Sequence, residues 1–242
     1  MPHLRQDHER GIRILTLDSP HNRNALSTGL VAELHEALAA ADKAPDTRAV
    51  LLNHTGSTFC AGADLTEKSP TGPRALTQLL RTVVESTKPV VACVTGHVRA
   101  GGLGLLAACD IAVAGPKATF AFTEARLGLA PAVISLTVLP RIPAADAARY
   151  YLTGEVFDTA EAVRMGLVSA GLEALDGILD GLRAASPQGL AESKRLISAA
   201  VLRGFDRDAE AYAEQSARLF ASAEAAEGIR AFLERREPQW VL

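Results

Sequence analysis

Short apolar runs separated by helical patterns constrain the fold of this chain more than any other feature. Residues 48–53, 88–94 and 111–114 are apolar along most of their length, which is typical of strands buried on both faces. Residues 11–18 form a further strand-like run, and a helix pattern begins near Ser27. Because parallel strands need helical crossovers between them, the sequence predicts an α/β fold with mainly parallel pairing.

The pattern changes after Leu139, where no further strand is expected. Five helical stretches are predicted there, at residues 143–152, 158–166, 187–201, 206–220 and 222–236. Asp158 precedes Glu161 by three residues, and Ser186 precedes Pro187; both arrangements are typical of helix starts. The sequence therefore predicts an α/β core over residues 1–140 and a helical region over residues 141–242.

Charge and composition exclude several classes of partner. The net charge is −3, with acidic and basic residues mixed along the chain, so no basic surface for nucleic acid or an anionic membrane is expected. No apolar run approaches the roughly 20 residues of a membrane span. The polar first ten residues lack a signal sequence. We expect a cytoplasmic protein that binds neither nucleic acid nor membrane.

The cysteines give no indication of a metal site. Cys60, Cys93 and Cys109 form no CxxC pair and have no histidine at ligand spacing. An odd number of cysteines fits a reducing compartment and small buried thiols.

Three segments contain candidate functional residues. Residues 59–65 (FCAGADL) combine small side chains that let a ligand approach the backbone. Residues 96–104 (GHVRAGGLG) form a glycine turn between a strand and a helix, where free amides attract negative charge. In residues 120–128 (FAFTEARLG), the acid Glu124 stands in a mostly apolar run. Singly, such features are common in turns and on solvated surfaces.

Other known motifs do not explain these segments. Gly102, Gly104 and Ala107 match the spacing of a dinucleotide-binding fingerprint, but Glu124 lies well past the next strand, and no second nucleotide-binding half follows. The sequence contains no GxSxG, HExxH or P-loop motif.

Taken in order, the segments resemble the enoyl-CoA hydratase/isomerase (crotonase) family. The resemblance covers nearly the whole chain, through HNRNAL (21–26), FCAGADL (59–65), ACDIAVA (108–114), ATFAFTEARLGLAP (118–131) and GIRAFLERREP (228–238). It implies a crotonase-like β/α spiral core and a helical C-terminal region that builds a homotrimer or a dimer of trimers.

The resemblance also implies an acyl-CoA thioester substrate and the residues that bind it. The backbone amides of Ala63 and Gly101 would form an oxyanion hole, with Glu124 as the acid/base residue. Coenzyme A, as part of the substrate, would contact the backbone around Arg23, Asn24, Ala25 and Leu26 and around Ala61 and Leu65. Phe232 and Arg235 match positions that reach the nucleotide of a neighbouring subunit. No metal or separate cofactor is expected.

The sequence departs from the family pattern at Gly104, where typical hydratases have a second glutamate. Glu124 would then act first as base on water and afterwards as acid toward the α-carbon. Its pKa should be raised by apolar neighbours such as Phe120 and Phe122. Residues 124–135 look like a bacterial hydratase branch that includes methylglutaconyl-CoA-type enzymes. This favours an enoyl-CoA hydratase over the alternative, a Δ3,Δ2-enoyl-CoA isomerase.

Three further alternatives are less favoured. A non-catalytic acyl-CoA binder would not need Glu124. A dienoyl-CoA isomerase would need another acid near Ala132, and a protease-like relative would need a serine partner for His97. The acyl group depends on residues 67–78, where Pro70, Gly72 and Pro73 predict a mobile loop.

Overall fold

The computed structural model describes residues 2–67 and 71–242. Its strands are β1 (Leu4–Glu9), β2 (Ile12–Leu17), β3 (Ala49–His54), β4 (Thr58–Cys60), β5 (Val90–Val94), β6 (His97–Arg99), β7 (Ile111–Ala114), β8 (Thr119–Ala121), β9 (Phe157–Asp158) and β10 (Ala170–Gly171). Its α-helices are α1 (Thr28–Lys43), α2 (Gly72–Glu85), α3 (Gly101–Ala108), α4 (Ala132–Val138), α5 (Ala144–Thr153), α6 (Thr159–Arg164), α7 (Leu175–Ala184), α8 (Pro187–Phe220) and α9 (Ala223–Glu234). None of these helices is long and apolar enough to cross a membrane.

The larger sheet has the strand order β1-β2-β3-β5-β7-β10, and all its pairings except β1 with β2 are parallel. Its central strands are buried on both faces, whereas the edge strand β1 is mostly exposed. Val50 and Leu52 of β3 join the main core, whereas Ala49 and Leu51 join a second cluster that includes Leu179 of α7. Burial on both faces explains why these strands are apolar without alternation. The predicted α/β fold with parallel strands is confirmed.

The smaller sheet has the strand order β4-β6-β8-β9, and β4, β6 and β8 run parallel. The carboxyl ends of parallel neighbours lie at the same sheet edge. β4 leads into the segment around Ala63, β6 leads into Gly101, and β8 leads into Glu124. The smaller sheet therefore brings the three candidate segments together.

The C-terminal region is held by caps and by one buried ion pair. The side chains of Asp158 and Ser186 accept the capping hydrogen bonds of α6 and α8, as predicted. α8 is one helix of 34 residues where two stretches were expected, and Phe205, which lies between those stretches, is buried in the main core. Lys194 of α8 lies 2.8 Å from Asp110, and both are almost inaccessible to solvent.

Two further sequence expectations differ from the structure. β9 and β10 lie beyond Leu139, where no strand was expected; each has two residues, too few to show a strand pattern. Gly72 and Pro73 open α2 and do not belong to a mobile loop, since proline is well tolerated in the first turn of a helix. Pro70, the third residue of that prediction, lies outside the described residues.

Candidate active site

Glycines bring two of the candidate segments, residues 59–65 and 96–104, into direct contact. Gly62 has a φ of +90°, and a Cβ added to it would lie 2.9 Å from the Ala100 Cβ and 3.2 Å from the Gly101 nitrogen. A Cβ added to Gly101 would in turn lie 3.6 Å from the Ala63 nitrogen. The short distances and the positive φ require a glycine at residue 62, whereas at Gly101 the added Cβ would be in ordinary contact with the Ala63 nitrogen. The close approach at Gly62 therefore places the amides of Ala63 and Gly101 near each other.

Both amides are free to donate a hydrogen bond. Gly101 is the first residue of α3, and the first amides of a helix have no partner within it. Within residues 2–67 and 71–242, neither the Ala63 nor the Gly101 amide donates to a protein acceptor. Two adjacent free donors can stabilise an oxygen that gains negative charge.

The loop that precedes α1 is fixed to the same segment by Asn24. This side chain is fully buried; it accepts from the Ser19 amide and donates to the carbonyls of Thr55 and Thr58. The backbone is joined as well, since Ala61 donates to the Arg23 carbonyl over 3.1 Å. Asn24 was predicted to lie in a coenzyme A loop. In the structure its buried side chain joins that loop to neighbouring backbone by hydrogen bonds.

Glu124 begins a 3₁₀ turn (Glu124–Leu127) directly after β8. Only 8% of its surface is exposed, and its Oε2 atom has no hydrogen-bond partner among the described residues. Burial raises the pKa of Glu124 to about 7, opposed in part by a hydrogen bond from its own backbone amide. The direction agrees with the prediction, and Phe120 and Phe122 are fully buried against Phe157. A carboxyl group with a pKa near neutrality can both accept and return a proton.

Ile134 covers the position where a second carboxylate would start. A Cβ added to Gly104 would lie 2.4 Å from the Cγ2 atom of Ile134. Ile134 lines the same cavity as Glu124, whereas Gly104 does not. The wall of the cavity in front of Gly104 is therefore apolar.

Most of the predicted site residues line one cavity of about 1090 Å³, which we call the catalytic cavity. They are Arg23, Ala25, Ala61, Ala63, Leu65, Gly101, Glu124, Phe232 and Arg235. Phe232 and Arg235 line this cavity within their own chain, and their contact with the nucleotide of a neighbouring subunit stays a prediction. They reach it because α9 packs against the turn that begins with Glu124.

A second cavity of about 770 Å³, the side chamber, adjoins the first at Ala63 and Leu65. Of the two remaining predicted residues, Leu26 lines this chamber and Asn24 lines neither cavity. Its other apolar lining comes from α1, α2, α4, α8 and α9, through Val31, Leu76, Val133, Phe220, Ile229 and Leu233.

Sequence reasoning missed two polar residues of the site. Arg99 lines the catalytic cavity and donates to the Thr119 carbonyl and hydroxyl. Burial without a carboxylate partner lowers the pKa of Arg99. Tyr151 of α5 packs on Phe122 behind the cavity wall, and burial, together with the charge of Glu124, raises the pKa of Tyr151. Alternation along β6 could have indicated Arg99, since the neighbouring Val98 is buried, but nothing in the sequence places Tyr151.

Other chemistries find no support in the described part of the chain. It contains no cluster of three or more metal-ligating side chains. The three cysteines are buried, and burial raises the pKa values of the Cys60 and Cys109 thiols to about 12. The His97 ring lies 2.8 Å from the Thr119 hydroxyl, which is not a serine nucleophile.

Comparison with known proteins decides the family. A model of the enoyl-CoA hydratase/isomerase family matches residues 7–241. The chain belongs to the enoyl-CoA hydratase/isomerase family. It is similar to a solved enoyl-CoA hydratase from Mycobacterium avium, with 53% identity, 99% coverage of both chains and a TM-score of 0.93. Family membership implies an acyl-CoA thioester as substrate.

Two curated relatives show the range of this family. Enoyl-CoA hydratase EchA19 of Mycobacterium tuberculosis is 36% identical over 94% of this chain and 92% of its own length. Mevalonyl-coenzyme A hydratase sidH of Aspergillus fumigatus is 31% identical over 95% of this chain and 91% of its own length. Both names describe hydratases, although of different acyl groups.

Proposed function

We propose that this protein is an enoyl-CoA hydratase, which adds water to a 2-enoyl-CoA thioester with Glu124 as its one acid/base carboxylate. The observation that carries the proposal is the buried Glu124 carboxyl group in the same cavity as two free amides. Relatives named enoyl-CoA hydratase support the same reaction class.

The steps follow from the chemistry of these groups. The ionised Glu124 takes a proton from water as the water oxygen bonds to the β-carbon of the substrate. The electrons of the double bond move to the thioester oxygen, where the Ala63 and Gly101 amides stabilise the enolate. Losing one such donor typically costs about 10²–10³ in rate. Protonated Glu124 then gives its proton to the α-carbon, so that one water is added and the carboxylate is restored.

The two cavities suggest how the substrate lies. The thioester would sit at Ala63, which lines both, and the acyl chain would enter the apolar side chamber. Arg23, Arg126 and Arg235 line the catalytic cavity, and their charges can pair with the phosphates of coenzyme A. This arrangement uses the backbone of the loop that Asn24 anchors.

The apolar wall at Ile134 favours a second candidate, a Δ3,Δ2-enoyl-CoA isomerase. Hydration needs a water held beside the β-carbon, and no described acid stands at Gly104 to hold it. Double-bond migration needs only a base that moves a proton between two carbons, which Glu124 could do alone.

The absorbance of the conjugated enoyl thioester separates these candidates. With a 2-enoyl-CoA the hydratase lowers the absorbance, because water removes the conjugated double bond. If the absorbance rises with a 3-enoyl-CoA and does not fall with the 2-enoyl-CoA, the protein is an isomerase and the hydratase proposal is wrong. No change with either substrate would leave a non-catalytic acyl-CoA binder.

A further inference from the structure

Two glycines form the contact between α9 and the turn that begins with Glu124. A Cβ added to Gly228 of α9 would lie 2.5 Å from the Leu127 carbonyl oxygen. A Cβ added to Gly128, which has a φ of +71°, would lie 2.7 Å from the Glu224 carbonyl carbon. Each glycine thus faces the backbone of the other element, and neither element can move aside by turning a side chain.

The rest of the α9 surface supports the same attachment. Its buried residues, Ala225, Gly228 and Ala231, are small and lie three positions apart on one face. Its large apolar residues Phe232 and Leu233 are instead about half exposed and line the catalytic cavity. The helix is therefore held by close backbone approach and covers the cavity with its larger side chains.

We infer that Gly128 and Gly228 are positioning residues, which dock α9 onto the turn and so close the site around Glu124 within one chain. This inference rests on the proposed function for the role of Glu124. Without the docked helix, the turn would lose its packing on that side and water would reach the carboxyl group.

The charged groups around Glu124 do not account for its raised pKa. Tyr151 belongs to α5, Arg126 belongs to the same turn as Glu124, Glu224 belongs to α9 and Arg235 caps α9. Asp64 and Arg99 lie in the same cavity. None of them donates a hydrogen bond to the Glu124 carboxylate, and burial is the leading cause of its raised pKa. Removing the cover should consequently lower that pKa.

Gly228→Ala tests the inference, with Gly204→Ala as its matched control. The new methyl group at residue 228 would need about 0.9 Å more room to reach an ordinary 3.4 Å contact with the Leu127 oxygen. The same methyl group at residue 204 of α8 meets nothing within 4 Å. A displacement of about 1 Å near a reacting group can cost on the order of 10² in rate.

We expect Gly228→Ala to lower kcat/KM by about 10²-fold and to move the midpoint of the kcat/KM–pH profile down from about 7 toward 4.5, the ordinary pKa of a glutamate. Gly204→Ala should leave both values as in the wild type. A purely structural effect would reduce the amount of active enzyme without moving the midpoint. An unchanged midpoint in folded Gly228→Ala would therefore overturn the inference.

Amide hydrogen exchange of the wild type gives a test that needs neither folding of the variant nor turnover. Docking predicts that the α9 amides and those of residues 124–128 exchange through one shared opening. Much faster exchange in α9 than in the turn would contradict docking. If the wild type adds no water to any 2-enoyl-CoA, the proposed function fails, and the exchange result still decides the docking of α9.

Discussion

Replacing Glu124 by glutamine should make the protein more stable at high pH relative to the wild type. The folded state holds the Glu124 proton up to a pKa of about 7, whereas the ordinary pKa is 4.5. Between these values the folded wild type keeps a proton that the unfolded chain has released, so the wild type loses stability as pH rises. Each pH unit corresponds to about 1.4 kcal/mol, so the loss amounts to about 3 kcal/mol once pH exceeds 8.

Glutamine has nearly the same shape but cannot ionise, so Glu124→Gln should not show this loss. Its unpaired amide has a cost of its own, but that cost does not depend on pH and cancels when the comparison is made across pH. We expect the free energy of unfolding of the variant minus that of the wild type to rise by about 3 kcal/mol between pH 4.5 and 8.

Urea denaturation of both proteins at matched pH values and one protomer concentration measures this difference. A difference that stays constant from pH 5 to 8 would refute the reasoning, because it would mean that the carboxyl group ionises alike in the folded and unfolded chains. In the same preparations Glu124→Gln should lower turnover by about 10²–10⁴-fold.

Three other substitutions test the packing around the site. Gly104→Ala should destabilise the protein by about 1–3 kcal/mol because its methyl group meets Ile134, and adding Ile134→Ala should recover part of the loss in a double-mutant cycle. Asn24→Asp keeps the shape but removes two buried donors; it should cost at least about 2 kcal/mol and raise KM for the acyl-CoA. Lys194→Met breaks a buried ion pair and should cost about 3–5 kcal/mol in urea denaturation, whereas Arg195→Met at an exposed pair should cost less than about 1 kcal/mol.

The parts of the fold that the sequence predicted are those with a strong local signal. The continuous apolar runs of β3, β5 and β7 indicate burial on both faces, and the cap residues Asp158 and Ser186 mark helix starts. β9 and β10 have no such signal, because two residues cannot show alternation and their pairing depends on distant strands. The start of α2 was misjudged since Gly72 and Pro73 occur in turns and helix starts alike.

In the site, too, residues that belong to local motifs were predicted, and residues whose roles depend on contacts between distant segments were not. Motifs and family resemblance place Ala63, Gly101 and Glu124 in one site, and the structure brings all three to one cavity. Ile134 and Gly228 could not be predicted, because their roles arise from close contacts with Gly104 and Leu127. These contacts join elements far apart in the chain, and although Gly228 opens the motif at residues 228–238, the sequence does not show which backbone it approaches.

The pH dependence of kcat/KM for hydration of a 2-enoyl-CoA tests the account most directly. With Glu124 as the one acid/base carboxylate, the rate should rise once with pH, with a midpoint near 7 set by its burial. The residual rate of Glu124→Gln should show no such rise. A wild-type profile that is flat across this range, or a rise that persists in the variant, would contradict the claim that Glu124 carries the proton transfers.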